Sequence, residues 1–271
     1  MKNFLIAALI FIFAFSSPAC AKAIELISLL EVQGKGDPAL LIGATEQQKA
    51  EFLPNGELQS QIFAFYLKIP GREILFDTGL RNGNIAKRLE KNGIKTSDVK
   101  TILLTHLHPD HFGGLVDAKD KAAYPNAEIY VSKIEYDYWV KKIKNQNVIK
   151  AMNLYKKKIH FFEFNDEIFD GIKALDASGH TPGHTVFDIN SDGEELLIVG
   201  DIVHFIEIQF PAPDVSVKYD VDPDKARESR KKILDYAAEK NIKIAGMHIQ
   251  SPGIIKVKKN ESGYEKSDDL Q

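Results

Sequence analysis

The sequence predicts an α/β domain of mixed β-sheets flanked by helices, on three observations. Hairpins alternate with strand–helix units, apolar runs of strand length are punctuated by Gly- and Pro-containing turns, and no stretch has the composition of a linker. Such mixed connectivity gives partly antiparallel sheets whose outer faces are covered by helices.

The first stretch to place is MKNFLIAALIFIFAFSSPACA, with Lys2, an apolar run from Phe4 to Phe15 and then small residues, the plan of a secretory signal peptide. The run is 12 residues long, whereas a spanning helix needs roughly 20, so no stable membrane span is expected. Ala19-Cys20-Ala21 fits a cleavage site, with a cut after Ala23 as an alternative. Lipid anchoring through Cys20 is disfavoured, because Ser17 stands where a lipid-attachment signal normally carries leucine. The expectation is a signal peptide over 1–21 and a single domain over 22–271, secreted or periplasmic. That mature chain has 250 residues and no cysteine, so packing alone must stabilise it. Its 34 basic and 38 acidic side chains show no positive cluster of the kind a nucleic acid requires. A homodimer is compatible with this composition but not indicated by it.

Along the mature chain, QIFAFYLKIPGREILFDTGL reads as a hairpin around Pro70-Gly71, ending at Asp77. NIAKRLEKNGI follows as a helix stopped by Asn92-Gly93, and VKTILLT as a buried strand. AEIYV is the next strand. It leads into a helix predicted from Lys133 to about Lys144, where Ser132 and Glu135 have the spacing of a capping box. TVFDINSDGEELLIVGD is a hairpin turning at Asp192-Gly193 and finishing at Asp201. The long segment Asp201 to Val221 precedes a helix with Asp222 as N-cap and Pro223 at its first position, then the strand IKIAGMH.

Within this frame, TILLTHLHPDHFGG gathers His106, His108, Asp110 and His111 directly after a strand. Residues two apart do not share a helix face but do share a side in extended chain, so His106 and His108 belong to a strand end or loop. Pro109 steers His108 away from helical torsions and can begin a turn that redirects Asp110 and His111. Imidazole and carboxylate are ligands for zinc and similar divalent ions. SGHTPGHT adds His180 and His184, LLIVGD adds Asp201, and IAGMH adds His248. His160 in KKIHFFEF has no motif partner and is read as structural.

THLHPDH, with GHTPGHT, VGD and the late MH, resembles the metallo-β-lactamase fold superfamily from about Ile62 to Val257. The resemblance implies a four-layer αββα sandwich with two metals in a cleft at one edge. It assigns His106, His108 and His180 to one metal, Asp110, His111 and His248 to the other, and Asp201 as the bridge. It also makes Asp77 a hydrogen-bonding support for the metal loop, where the bare sequence would allow an ordinary cap for the Thr78-Gly79 turn. His184 is then a supporting or structural residue. Counting agrees with two ions, most naturally Zn2+, since seven donors exceed the roughly four that one zinc takes.

Two such ions lower the pKa of a shared water toward about 7, which defines a hydrolase site. Asp110 is the candidate catalytic residue, orienting the nucleophile and passing a proton to the leaving group. Zinc β-lactamases of the superfamily put Cys or Ser at the place of Asp201, and the diiron branch replaces the second histidine, here His108, with Glu. VSKIEYDYW, GDIVHFIEIQFPAPDV and MHIQSPGII are similar to the methyl parathion hydrolase and acyl-homoserine lactonase branch. Lactonases of that branch carry tyrosine three residues after the bridging aspartate. Here His204 stands there, as in the parathion-hydrolase type, and becomes a substrate-side or supporting candidate. Phe205, Phe210, Tyr138 and Trp139 are candidates for an apolar pocket. The expected partner is a small-molecule lactone or phosphotriester. A β-lactamase or thioesterase of the same fold, or a non-catalytic periplasmic binder of metal or ligand, remains the alternative.

Overall fold

In the computed structural model, residues 23–267 are described; the signal sequence expected over 1–21 lies outside them. The chain forms β1 (Glu25–Gly36), β2 (Leu41–Ile42), α1 (Glu46–Phe52), β3 (Leu58–Ile69), β4 (Arg72–Phe76), α2 (Ile85–Lys91), β5 (Thr101–Leu103) and α3 (Pro109–Phe112). It continues through β6 (Glu128–Ser132), α4 (Lys133–Tyr136), α5 (Gln146–Leu154), β7 (Ile159–Phe162), β8 (Glu167–Phe169), β9 (Ile172–Asp176), β10 (Thr185–Ser191) and β11 (Glu194–Gly200). The last part comprises α6 (Ile206–Gln209), β12 (Ser216–Val217), α7 (Pro223–Lys240), β13 (Lys243–Gly246), β14 (Ile254–Lys259) and β15 (Tyr264–Lys266). Among the described residues no helix is long and apolar enough to cross a membrane.

Two mixed sheets result. The first runs β1-β3-β4-β5-β6-β7 and the second β15-β14-β13-β11-β10-β9-β8, while β2 and β12 pair separately. Strand periodicity explains how they stack. On β3, Phe63, Phe65 and Leu67 point to the layer between the sheets, where they meet Ile172, Phe187, Ile189 and Ile198, while Ala64 and Tyr66 point outward. That outer face packs on α2 and α5 through Leu89, Val148 and Met152. The second sheet's outer face, with Val186, Leu197 and Val199, packs on α7 through Ile233, Leu234 and Ala237. The layers therefore read helix, sheet, sheet, helix, as the resemblance implied. Strands buried on both faces need apolar side chains at nearly every position, which is why β4 and β11 are runs rather than alternations.

The predicted hairpins and helix ends form. Asp192 and Gly193 both take positive φ, 49° and 83°, the backbone of a two-residue hairpin turn, and the Asp222 side chain caps the Lys225 N–H. The helix expected from Lys133 to Lys144 is different: regular α-helix covers only α4, and Asp137–Lys142 widens into a π-turn. The capping box is absent as well. Ser132 makes no capping bond, and the Glu135 carboxylate does not reach back to it, being fully buried and serving other donors.

The long segment after Asp201 folds over the cleft edge as α6 and β12, on a small core of Leu53, Leu58, Phe205, Ile208 and Val217. Arg230 of α7, 1% exposed, holds that segment by donating to the carbonyls of Ile202, Pro213 and Val215 at 2.8, 2.8 and 2.9 Å. Burial pulls its pKa down to about 10, so it remains a cation at neutral pH. Removing it strands the buried carbonyls of Ile202 and Pro213, each costing about 1–3 kcal/mol, while Val215 keeps only the Gln209 amide at 3.1 Å. Arg230→Met should therefore lower the stability of the metal-free protein by about 3 kcal/mol or more, read as a lower urea midpoint; an unchanged midpoint would contradict this account of the segment.

Candidate metal centre

The donor residues arrive from strand ends and connections at one edge of the sandwich. β4 leads to Asp77, β5 runs into His106 and His108, β11 leads to Asp201, β13 leads to His248, and the β9–β10 connection carries His180. His108 is extended, with φ −75° and ψ 155°, and Pro109 opens α3. Pro109 thus begins a new turn after an extended His108, and that turn carries Asp110 and His111. Gly200, at φ +54°, ends β11; a Cβ there would lie 2.5 Å from His184 Nε2, so only glycine lets the strand close this tightly on the histidine.

The sequence-predicted ligands come together. His106, His108, His180 and Asp201 each place a donor atom within 4.8 Å of the others, as do Asp110, His111 and His248. Asp201 lies between the groups, its Oδ2 3.2 Å from His180 Nε2 and its Oδ1 3.2 Å from His111 Nε2. His204 adds its Nε2 at 3.2 Å from Asp201 Oδ2 and stacks on His248 at 4.8 Å. It thus belongs to the cluster's rim. His184 does not offer a free donor atom: its Nδ1–H donates to the Ala177 carbonyl and its Nε2 accepts the Asp201 N–H, both at 3.0 Å. It supports Asp201. His160 is remote, paired with Glu128 and stacked on Tyr130.

What turns the lone pairs inward is a set of bonds to the opposite ring nitrogens. His111 Nδ1 donates to Asp77 Oδ2 at 2.7 Å, His180 Nδ1 to Asp220 Oδ1 at 2.8 Å, and His248 Nδ1 to the Gln61 carbonyl at 2.6 Å. Thr105 gives its only hydroxyl proton to Asp77 at 2.7 Å, so His106 Nδ1–H donates to the Thr105 oxygen at 3.0 Å. Asp77 thereby orients two histidines, one directly and one through Thr105. In the neutral rings of His106, His111, His180 and His248 the inward nitrogen is then an acceptor. His108 Nδ1 and His180 Nε2 lie only 2.9 Å apart, and His111 Nε2 and Asp201 Oδ1 are buried with no hydrogen-bond partner. Acceptors facing acceptors in a dry site are unstable unless a cation sits among them. The donor set fits two divalent ions.

Charge follows the same logic. Burial pulls His108 to about 3, His184 to about 3 and His204 to about 4, keeping them neutral. For His180, burial opposes the charge, yet Asp201 and Asp220 together raise it to about 9. His111 is likewise driven up by Asp201, Asp110 and Asp77 against its burial. The buried carboxylates thus give the cluster an appetite for positive charge.

Two supports were not singled out from the sequence. Asp220 sits in YDVDPD, where it reads as run-up to the Asp222 cap. Glu135, disguised by the capping-box spacing, accepts from Leu107 N–H, Trp139 Nε1–H, Thr181 Oγ1–H and Gly183 N–H at 2.7–2.9 Å. It ties the loop of His106 and His108 to the loop of His180 and His184. A cleft of about 510 Å³ opens over the cluster, lined by Leu40, Leu80, Asp110, His204, Phe205 and Tyr219 among others. Of the four aromatic candidates, Phe205 lines this cleft. Phe210 lies in the core beneath the second sheet, and Trp139 meets the His108 ring edge-on at 5.5 Å with Tyr138 packed behind it.

An αββα sandwich with a histidine and aspartate cluster at one edge defines a class of metal-centred proteins. Residues 59–248 match the family model of the metallo-beta-lactamase superfamily, and the chain belongs to that superfamily. Among solved structures, it superposes on hydrolase AbOPH of the beta lactamase superfamily with a TM-score of 0.83 and 30% identity, covering 91% of this chain and 94% of that one. It superposes on AidC, a dizinc quorum-quenching lactonase in complex with a product, with a TM-score of 0.82 and 30% identity, covering 90% and 94%. Over 118 residues it is 30% identical to the N-acyl homoserine lactonase AiiA of Bacillus thuringiensis subsp. kurstaki, a match spanning 43% of this chain and 42% of that relative.

Removing a partner of a metal-bound histidine typically costs 10–100-fold in affinity. Asp220→Ala should therefore weaken metal retention by about tenfold or more in chelator competition, and wild-type retention in this variant would contradict the role given to Asp220.

Proposed function

We propose that this protein is a dinuclear, zinc-type hydrolase of small, uncharged esters, with lactones as the principal substrates and phosphotriesters accessible to the same site. The carrying observation is the convergence of His106, His108, His180, Asp110, His111 and His248 on the Asp201 carboxylate. The dizinc lactonase relative and the homoserine lactonases support both the metal and the ester class. Two bound ions would supply a nucleophile from water near neutral pH and polarise the ester oxygen.

The chain's own groups do the rest. Asp110, the donor carboxylate with 24% side-chain exposure, faces the cleft and can hold the attacking water and then pass its proton to the leaving oxygen. Leu40, Leu80 and Phe205 give the substrate an apolar wall. Among the described residues lining the cleft, Lys35 is the only lysine or arginine, and it is exposed and shared with Glu57. An anionic substrate such as a β-lactam carboxylate would find little positive charge among them, which favours neutral esters. Export is part of the proposal, on the strength of Lys2, the Phe4–Phe15 run and the Ala19-Cys20-Ala21 site; N-terminal sequencing of the exported protein should begin at Lys22.

Purified protein should contain two zinc equivalents per chain and hydrolyse neutral lactones in a chelator-sensitive way, with cephalosporins turned over at least about a hundredfold more slowly. His106→Ala should abolish turnover and His160→Ala should leave it unchanged. Fewer than one metal per chain, or turnover indifferent to chelator, would overturn the reading.

A further inference from the structure

Glu31 lies in the middle of β1, where the pairing with β3 slips by one residue between Leu30–Phe63 and Val32–Ile62. It is the extra residue of a β-bulge, and bulges re-aim side chains. Its carboxylate is buried, 6% exposed. Glu31 Oε2 accepts the Leu80 N–H at 2.7 Å and Oε1 accepts the Asn84 N–H at 2.9 Å. The chain leaves room for it: a Cβ on Gly79 would lie 2.3 Å from Oε2, and one on Gly83 only 1.5 Å from Oε1.

The segment held by Glu31 is the one against which the second donor group is built. Thr78 donates both its N–H and its hydroxyl to the His111 carbonyl, at 2.7 and 2.9 Å. Gly114 N–H donates to the Gly79 carbonyl at 2.8 Å, and Gly113 packs so closely on Arg81 that a Cβ would lie 2.6 Å from its backbone nitrogen. Leu80, whose N–H Glu31 holds, also lines the cleft. The first donor group is tied instead through Glu135 and Asp220.

We propose that Glu31 is a positioning residue: by clamping residues 79–84 it fixes the backbone of the Asp110–His111 turn and so tunes the second metal site without touching its donor side chains, and holds the Leu80 wall beside it through the backbone. This rests on the dinuclear reading above. The sequence hides it, because the bulge is defined only by the register of β1 against β3.

The test uses the full protein as wild type, Glu31→Gln, Glu31→Ala and Gly83→Ala. The last keeps the carboxylate but displaces it, and decides the matter if Glu31→Ala does not fold. Stepwise cobalt or zinc loading by native mass spectrometry, with the cobalt absorption spectrum, reads the two sites separately. The expected result is about a tenfold or greater loss of affinity at one site in Glu31→Ala and Gly83→Ala, the other site holding within about twofold, and Glu31→Gln intermediate because its amide oxygen still accepts one N–H. Equal weakening of both sites, or two wild-type affinities in both variants, would overturn the inference while leaving the hydrolase reading intact. A wild type that loads fewer than two ions would overturn the dinuclear reading and this inference with it.

Discussion

The structure depends on one constraint: an inward-facing imidazole nitrogen must present a lone pair to a buried cavity, and in four of the five donor rings, His106, His111, His180 and His248, the other nitrogen is bound outside to hold it so. Asp77, Asp220, Thr105 and the Gln61 carbonyl supply those outer bonds. Without them the rings would be free to take the other tautomer or to turn. The buried aspartates also set the charge. They make the cavity attractive to cations, while burial keeps His108 and His204 neutral.

The fold serves this constraint by bringing strand ends to one edge. Strands packed on both faces are rigid and apolar, so polar side chains concentrate where strands stop. Glu135 then locks two of the resulting loops to each other with four donors on one carboxylate. Such a buried carboxylate is tolerated only because every one of those bonds is made. The Asp201–Val221 segment, pinned by Arg230, closes the side of the cleft nearest His204.

Much of this was legible in the sequence, for identifiable reasons. The seven donors lie in short motifs after apolar runs, and Pro109 announces the turn that divides His106 and His108 from Asp110 and His111. The supporting residues were harder to see. Asp220 and Glu135 each sit in a local pattern with an innocent meaning, a cap approach and a capping box, and only tertiary contacts reveal where their oxygens go. The bulge at Glu31 has no local signature at all, since it is defined by register against β3. The aromatic candidates divided for a related reason: Phe210 is as apolar as Phe205, and only packing decides that Phe205 lines the cleft while Phe210 lies in the core.

The most direct test of the central claim is a crystal structure of the zinc-loaded protein with anomalous data at the zinc edge. The account predicts two peaks, one among His106, His108 and His180 and one among Asp110, His111 and His248, with Asp201 in reach of both. A single peak, or peaks that leave His111 Nε2 and Asp201 Oδ1 without a metal neighbour, would contradict it.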